Sequence, residues 1–259
     1  MRHTASVTHH RGLAAAIGVV VAGLAVLIGL AVAVAYAGQG GPLPQPPTTE
    51  TAAPTAAATV GGAQQQADVP VADPYLPDPT WLETTAARTQ IPVRALAAYA
   101  RAHLQVAAEQ PDCKVAWNTI AALGGVESRH GSVNGSVLGA DGLPRPAIRG
   151  PALDGGAFGA VHDTDGGSLD GDTRWDRAVG PLQFIPSTWE TWAADANGDG
   201  VADPNQIDDA ALAAGRYLCH SGELTGAAAW RRAVFSFNHS DAYVNDIAGL
   251  ANTYAQRAG

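Results

Sequence analysis

One glutamate stands out as a candidate catalytic group. Glu127 lies in the apolar stretch Ile120-Ala-Ala-Leu-Gly-Gly-Val-Glu-Ser-Arg-His-Gly131. A helical period of about 100° per residue puts Glu127 between Ile120 and Leu123 on the apolar side. Burial disfavours the charged form of a carboxylate and raises its pKa, so the group can hold a proton near neutral pH and deliver it as a general acid. The alternative is a helix-end glutamate paired with Arg129 or another arginine.

Two further motifs follow in a fixed order. They are Gly180-Pro-Leu-Gln-Phe-Ile-Pro-Ser-Thr-Trp189 and Phe235-Ser-Phe-Asn-His-Ser-Asp-Ala-Tyr-Val244. Together with the stretch around Glu127, they resemble the lytic murein transglycosylases, specifically the membrane-bound B-type branch as found in actinobacteria. The resemblance covers roughly residues 79–257 and rests on the ordered set, since no single motif is specific.

The resemblance implies a role for each motif. Glu127 matches the single catalytic acid/base, and Ser128 matches a neighbour that orients the site. Gln183 matches a substrate-contacting amide beside the cleft. The other predicted substrate-binding residues are Tyr217, Asn238 and Tyr243. Phe237 stands where the family has the tyrosine of a Tyr-Asn pair, so one hydroxyl contact is absent.

The implied reaction cleaves the β-1,4 bond between N-acetylmuramic acid and N-acetylglucosamine in peptidoglycan. It leaves 1,6-anhydromuramoyl ends, consumes no water and uses no catalytic cofactor. Hydrolysis of a glycosidic bond normally uses two carboxylates, and the helix supplies only Glu127. Aspartates between residues 154 and 176 could supply a second, so a lysozyme-type hydrolase is the alternative. A wall-binding module without turnover is a third interpretation.

The elements that must position these residues are mainly helical. Periodicity and end signals predict helices over 92–109, from Trp117 to Glu127 with Asp112 as cap, over 186–192, over 208–221, after a Thr225 cap, and from a Ser240 cap to about Gln256. Residues 131–179 lack periodicity, although Asp141-Gly142 could turn a short hairpin. The resemblance implies a mainly α, lysozyme-like α+β fold in which this stretch is a small irregular β-region beside a glycan-binding cleft.

A separate stretch of the sequence is similar to a calcium-binding loop. Residues 195–203 reproduce the first nine positions of an EF-hand loop, with glycine at position six. Position twelve is Gln206, but the family's B-type members close a longer loop with an aspartate, and Asp209 stands at the matching fifteenth position. The predicted ligands of a structural calcium ion are the side chains of Asp195, Asn197, Asp199 and Asp209 and the carbonyl of Val201. The alternative is a solvated turn.

Two other sets of polar residues are not predicted to bind a metal. A nearby aspartate cluster has no recognisable loop template and is predicted to be a polar loop; its members are Asp163, Asp165, Asp170 and Asp172. His130 is predicted to be a groove or surface residue rather than a metal ligand.

The cysteines are few. Cys113 and Cys219 are the only two. Thiols in an exported domain tend to pair, and the resemblance places both in helices that pack together. A disulfide is therefore predicted, with two buried free thiols as the alternative.

The N-terminus carries an export signal. Residues 1–12 contain Arg2 and Arg11 and no acid, and a charge-free apolar run of 24 residues follows over 13–36. At about 1.5 Å per residue, this run can cross a hydrocarbon core of about 30 Å. The basic flank places residues 1–12 in the cytoplasm and the rest of the chain outside. The prediction is a transmembrane signal anchor; the alternative is a signal peptide cleaved near Ala35, which would release a secreted protein.

The rest of the chain divides into a linker and a domain. Residues 37–72 are rich in Pro, Thr and Ala and are predicted to be a disordered linker, which leaves residues 73–259 as one catalytic domain. All but two of the 24 acidic residues and all but two of the 15 basic ones lie beyond residue 72. This acidic balance argues against nucleic acid and favours uncharged contacts with glycan strands. The predicted partners are peptidoglycan and, through the N-terminal helix, the cytoplasmic membrane, with the protein a monomer.

Overall fold

The computed structural model describes residues 53–57, 73–156 and 159–259. The predicted transmembrane helix and most of the predicted linker lie outside these residues. Over the part that is described, no helix is both long and apolar enough to cross a membrane. The helices there are α1 Pro79–Thr89, α2 Val93–Glu109, α3 Trp117–Ser128, α4 Pro186–Trp192, α5 Ile207–Cys219, α6 Ala227–Phe237 and α7 Asp241–Ala258. The strands are β1 Val137–Leu138, β2 Pro144–Arg145, β3 Arg149–Ala152 and β4 Arg177–Val179.

Helix α3 carries Glu127 and lies at the centre of the helices, in contact with α2, α5 and α7. Its side chains are buried on every side from Trp117 to Gly124, which differs from the single apolar stripe that the periodicity predicts. Alanine and glycine beside Ile120 and Leu123 leave room for neighbouring helices to approach closely, so α3 is enclosed rather than half-exposed.

Several predicted helix starts are confirmed. Pro92 directly precedes α2, Pro186 is the first residue of α4, and the Ser240 hydroxyl accepts a hydrogen bond from the Tyr243 backbone N–H at the start of α7. These signals act within one turn of helix, so they can be read locally.

Two predicted caps are wrong. The residue before α3 is Ala116 and the residue before α6 is Gly226, and neither makes a side-chain cap bond. Asp112 lies in an exposed turn, and the Thr225 hydroxyl donates to Glu223 instead. Helix α3 begins where Trp117 is buried edge-on against Trp81, with ring centroids 5.3 Å apart. Tertiary packing rather than the nearest capping side chain sets that start.

Helix α1 was not predicted, although its signal is in the sequence. The Asp78 side chain accepts a hydrogen bond from the Trp81 N–H, and Pro79 occupies the first helical position, a standard combination for a helix start. Just before it, residues 76–78 pair with residues 55–57 from the predicted linker. The bonds run from the Ala57 N–H to Leu76 (2.9 Å) and from the Asp78 N–H to Thr55 (2.8 Å).

The β-region consists of small antiparallel pairs. Strands β1 and β2 form a hairpin around Asp141-Gly142, as predicted, with Val137 opposite Arg145. Strands β3 and β4 pair with Arg149 opposite Val179 and an irregular register. The chain is thus a mainly helical domain with small β-hairpins, and the predicted fold class is confirmed at that level.

The predicted disulfide is also confirmed. Cys113 and Cys219 are bonded, with Cα atoms 5.3 Å apart. The bond joins the segment before α3 to the last residue of α5, across 106 residues of sequence. It therefore fixes two elements that pack around the core.

Candidate active site

Glu127 is the penultimate residue of α3 and is only 7% exposed. Its carboxyl group is bonded by the Tyr243 hydroxyl, which donates to Oε1 over 2.6 Å. Arg129, the alternative partner, is exposed and lies past the helix end in the left-handed region, with φ of 52°. The carboxyl group thus has a neutral partner rather than a cation.

Burial decides the protonation state of this glutamate. Loss of solvation raises the pKa of Glu127 to about 8, and the hydrogen bond from Tyr243 opposes part of that rise. Burial also raises the pKa of the Tyr243 hydroxyl well above its usual value, so the hydroxyl keeps its proton. Glu127 is therefore a protonated acid at neutral pH, as general acid catalysis requires.

Ser128 connects the end of α3 to the turn at residues 180–183, here called the Gln183 turn. The Ser128 hydroxyl donates to the Pro181 carbonyl over 2.6 Å and accepts from the Gly131 N–H over 2.8 Å. The residue is fully buried, so it cannot touch a glycan in this conformation. This placement suits the orienting role implied by the resemblance and not direct substrate binding.

Gln183 itself sits in an uncommon backbone conformation, with φ of 50°. Its side-chain amide donates to the Gly180 carbonyl over 2.8 Å, and backbone bonds between Val179 and Phe184 close the turn at 2.8 and 3.1 Å. The half-buried side chain is therefore held by its own turn beside the end of α3.

The other predicted substrate-binding residues lie on α5, directly after α6 and on α7. The Tyr217 hydroxyl donates to the Ser236 carbonyl over 2.6 Å, and its ring packs edge-on against Phe237 and Trp192. Asn238 follows Phe237, is 3% exposed, and has a buried side-chain nitrogen without a partner among the described residues. Tyr243 touches Glu127 directly, whereas the Tyr217 hydroxyl is bonded to Ser236 instead.

The predicted position of His130 is wrong. It is 8% exposed rather than a groove or surface residue, with Nδ1 3.1 Å from the Tyr99 hydroxyl and Nε2 2.9 Å from the Tyr254 hydroxyl. Burial lowers the pKa of His130 to about 4, so it is neutral. The sequence feature that could have indicated this burial is the Gly124-Gly125 pair in the preceding turns of α3. A Cβ on Gly124 would overlap the Tyr99 hydroxyl, so the missing side chain makes room for this network.

The predicted calcium loop, residues 195–209, is here called the cation loop. The two carboxylate oxygens of Asp195 accept the N–H groups of Gly198 and Gly200, both at 2.8 Å. Asp209 is fully buried and accepts three backbone N–H groups, from Ala196, Asn197 and Asp203. Burial raises the pKa of Asp209, and repulsion from Asp195 adds to the rise.

Asn197 and Asp199 extend the same arrangement and bond each other over 2.9 Å, and Val201 is exposed. Asp209 is a buried carboxylate close to a second acid, and no cationic side chain of the described residues is paired with either one; a bound cation would stabilise such an arrangement. Oxygen-only donors of this density suit the hard cation Ca²⁺. The donor types of the loop therefore suit Ca²⁺, whereas among the described residues the three carboxylates that lie within 4.8 Å of one another belong to Asp163, Asp165 and Asp176.

The neighbouring aspartates are arranged differently from the predicted cluster. Oxygens of Asp163, Asp165 and Asp176 all lie within 4.8 Å of one another and could hold an ion. Asp176 is fully buried, and its oxygens accept the Thr164 N–H and hydroxyl. Asp170 instead accepts the Arg177 N–H, and the Asp172 carboxylate pairs with the Arg177 guanidinium.

A protein-family model matches part of the chain. Residues 162–235 match the family model described as "Transglycosylase SLT domain", a domain of an enzyme family. That stretch contains the Gln183 turn, the cation loop and Tyr217, and it lies C-terminal to Glu127. No curated protein matches the chain.

Three solved structures are similar to the chain. The Escherichia coli lytic transglycosylase Slt35 is 16% identical, with TM-scores of 0.42 in complex with bulgecin A and 0.43 in complex with calcium. In both cases 68% of this chain and 78% of the other are covered. SltB3 from Pseudomonas aeruginosa, in complex with NAG-anhNAM-pentapeptide, is 21% identical with a TM-score of 0.42, over 70% of this chain and 65% of that one.

Proposed function

We propose that the chain is a lytic transglycosylase that cleaves the β-1,4 bond between N-acetylmuramic acid and N-acetylglucosamine in peptidoglycan. The observation that carries the proposal is Glu127, a buried and protonated acid with a neutral hydroxyl as its partner. No other carboxylate among the described residues bonds to it or perturbs its pKa. The matched SLT domain supports the same reaction class.

In the proposed mechanism, Glu127 first donates its proton to the glycosidic oxygen as the bond from that oxygen to C1 of the muramoyl sugar breaks. The Tyr243 hydroxyl stabilises the carboxylate that this step creates. The carboxylate then takes the proton of the 6-hydroxyl of the same sugar as the bond between C1 and the 6-oxygen forms. One bond breaks and one forms, a proton moves from one oxygen to the other through Glu127, and no water is consumed.

We assign supporting roles to the other site residues. Ser128 holds the end of α3 against the Gln183 turn, which would place the Gln183 amide beside the glycan. Tyr217, Asn238 and Tyr243 would line the same cleft. The side-chain nitrogen of Asn238 has no partner among the described residues and could donate to a sugar oxygen, but like the Ser128 hydroxyl it is buried in this conformation, so such a bond would require the cleft to open.

The test is Glu127→Gln, which keeps the shape of the side chain but cannot transfer the proton. We expect turnover of purified peptidoglycan to fall by about 10² to 10⁴ or more, while glycan binding and folding persist. Glu83→Gln, on the exposed face of α1, is the matched control and should retain activity. Mass spectrometry of wild-type products made in ¹⁸O-labelled water should give anhydromuramoyl ends without label.

The alternative functions predict other products. Label at the cleaved sugar would identify a lysozyme-type hydrolase and overturn the proposed mechanism. Binding to peptidoglycan without release of any fragment by the wild-type chain would identify a wall-binding module.

We also propose that the cation loop binds a structural calcium ion and that catalysis itself needs no cofactor. The ligands would be the side chains of Asp195, Asn197, Asp199 and Asp209 and the Val201 carbonyl. A ligand that binds only the folded chain raises its stability by mass action, so Ca²⁺ should raise the melting temperature of metal-stripped protein. Equal melting temperatures with excess Ca²⁺ and with chelator would contradict the site.

We further propose that residues 13–36 anchor the chain in the cytoplasmic membrane and that residues 37–72 link the anchor to a monomeric catalytic domain, residues 73–259, on the cell-wall side. The apolar run and its basic flank support this topology. N-terminal sequencing of the mature protein distinguishes an anchor from a cleaved signal peptide. Protease added to intact spheroplasts should digest the catalytic domain, and protection of the domain would contradict the topology.

A further inference from the structure

The cation loop and the Gln183 turn are in direct backbone contact. Gly180, the first residue of the turn, has φ of 77°, and a Cβ placed on it would overlap the carbonyl oxygen of Pro204 in the cation loop. The same Cβ would lie 3.0 Å from Cα of Asn205. Because main chain meets main chain, neither segment can shift there without moving the other.

An arginine strengthens this contact. Arg149, on β3, donates from Nη1 to the Asn205 side-chain oxygen over 2.6 Å. The residue before it, Ile148, accepts the Gly180 N–H over 3.0 Å. The chain at residues 148–149, where β3 begins, is thus bonded to both segments, and Arg149 is half-buried.

Each segment is also tied to a functional group. Within the cation loop, Asp203 accepts the N–H of Asn205 over 2.8 Å and donates its own N–H to Asp209 over 3.0 Å, so the contact lies beside the buried carboxylate. On the other side, Pro181 accepts the Ser128 hydroxyl at the end of the helix that carries Glu127. The contact is therefore continuous from Asp209 to the residue after Glu127.

We infer that cation binding in the loop and glycan binding at the catalytic cleft are thermodynamically coupled through the packing of Gly180 on Pro204 and the bond from Arg149 to Asn205. With a cation held by Asp195 and Asp209, the closing end of the loop would be ordered, and that end would support the Gln183 turn. Gly180 and Arg149 act as positioning residues. The inference rests on the proposed calcium site and glycan substrate, and coupling of this kind is reciprocal between the two ligands.

The first experiment measures Ca²⁺ binding alone, by calorimetry on the metal-stripped full-length chain. Gly180→Ala should weaken Ca²⁺ binding about fivefold or more, although residue 180 supplies no ligand, because the new Cβ displaces Pro204. Gly135→Ala is the matched control, since Gly135 has a similar φ of 81° but open space around its Cα, and it should leave the Kd unchanged. Equal Kd values for the two variants would overturn the inference.

The second experiment measures the coupling in the Glu127→Gln background, where glycan is not consumed. A saturating tetrasaccharide of alternating N-acetylglucosamine and N-acetylmuramic acid should tighten Ca²⁺ binding about fivefold or more, and Ca²⁺ should tighten tetrasaccharide binding by the same factor. Arg149→Gln should reduce both factors towards one. Arg216→Gln is its control, because Arg216 pairs with Glu109 elsewhere, and it should leave both factors intact.

The outcomes separate this inference from the proposed function. A Ca²⁺ Kd that the tetrasaccharide does not change overturns the coupling, and so does a coupling that Arg149→Gln leaves intact. If Gly180→Ala fails to fold, the Arg149→Gln comparison still decides. Coupled binding in a chain that releases no anhydromuramoyl ends would support the inference and contradict the proposed reaction.

Discussion

At the scale of single residues, the proton on Glu127 reflects two opposing effects. Burial removes the water that would stabilise the charged carboxylate, and one hydrogen bond from Tyr243 restores a fraction of that stabilisation. Because burial dominates, the group is an acid at neutral pH. The tyrosine then stabilises the carboxylate that exists between the two proposed steps.

Removing the tyrosine hydroxyl should separate these effects. In Tyr243→Phe the carboxylate loses its donor, so the pKa of Glu127 should rise, and the alkaline fall in kcat/KM near pH 8 should move to higher pH. The maximal rate should drop about tenfold or more, as expected for a lost hydrogen bond to a charged group. Tyr75→Phe is the control, since Tyr75 lies before α1 and outside the proposed site. A shift to lower pH in Tyr243→Phe would contradict this role.

The same carboxyl group should make stability depend on pH. Its pKa is about 8 when folded against an ordinary value of 4.5, so the folded chain holds an extra proton between these pH values and stability falls as pH rises through that window. Urea unfolding should therefore find Glu127→Gln similar to wild type near pH 4.5 but more stable above pH 8, by on the order of a few kcal/mol. If the difference in unfolding free energy between the variant and wild type did not depend on pH, the pKa of Glu127 would not be raised in the folded state.

At the scale of elements, two glycines without side chains allow neighbouring residues to pack closely against the last turns of α3. Gly124 accommodates the Tyr99 hydroxyl, and Gly125 leaves room for Leu250 and the Tyr254 hydroxyl. His130 then joins the two tyrosines. Helices α2 and α7 thus hold the end of α3 with hydrogen bonds, and α7 also supplies Tyr243 to Glu127.

Filling that space should be destabilising. Gly124→Ala places a Cβ onto the Tyr99 hydroxyl and should lower the free energy of unfolding by about 1–3 kcal/mol. Gly249→Ala, at an exposed helical position on α7 with nothing within 4 Å, should instead raise it by about 0.5–1 kcal/mol, because alanine favours helix. Urea denaturation of the two variants measures both signs, and two changes of equal sign would refute the packing argument.

At the scale of the whole molecule, one covalent bond closes a long loop of the chain. The disulfide between Cys113 and Cys219 encloses α3, the β-region, α4, the cation loop and α5. Its contribution through the unfolded chain grows with the length of the closed loop, to about 4.7 kcal/mol for 100 residues. The bond therefore stabilises the parts that carry the site together.

The double variant Cys113→Ser/Cys219→Ser should lose about 2–4 kcal/mol of unfolding free energy. Denaturant unfolding of the variant and of oxidised wild type measures the difference. A thiol titration of denatured, unreduced wild type is the control and should find no free thiol. Two free thiols there would contradict the bond.

Features that depend on neighbours within one or two turns were determined by the sequence alone. The prolines before α2 and at the start of α4, the Ser240 cap and the Asp141-Gly142 hairpin are of this kind. The inward direction of Glu127 also follows from the local pattern, because helical periodicity fixes the direction of a side chain.

Contacts between distant residues were decided only by the tertiary structure. Tyr243 reaches Glu127 across 116 positions and His130 reaches Tyr254 across 124, and no local pattern records which side chains meet after folding. The same is true of Asp176 beside Asp163 and of Gly180 against Pro204. The sequence could therefore identify the acid, whereas the hydroxyl that holds it and the backbone that supports its neighbouring turn depend on how the helices and loops pack.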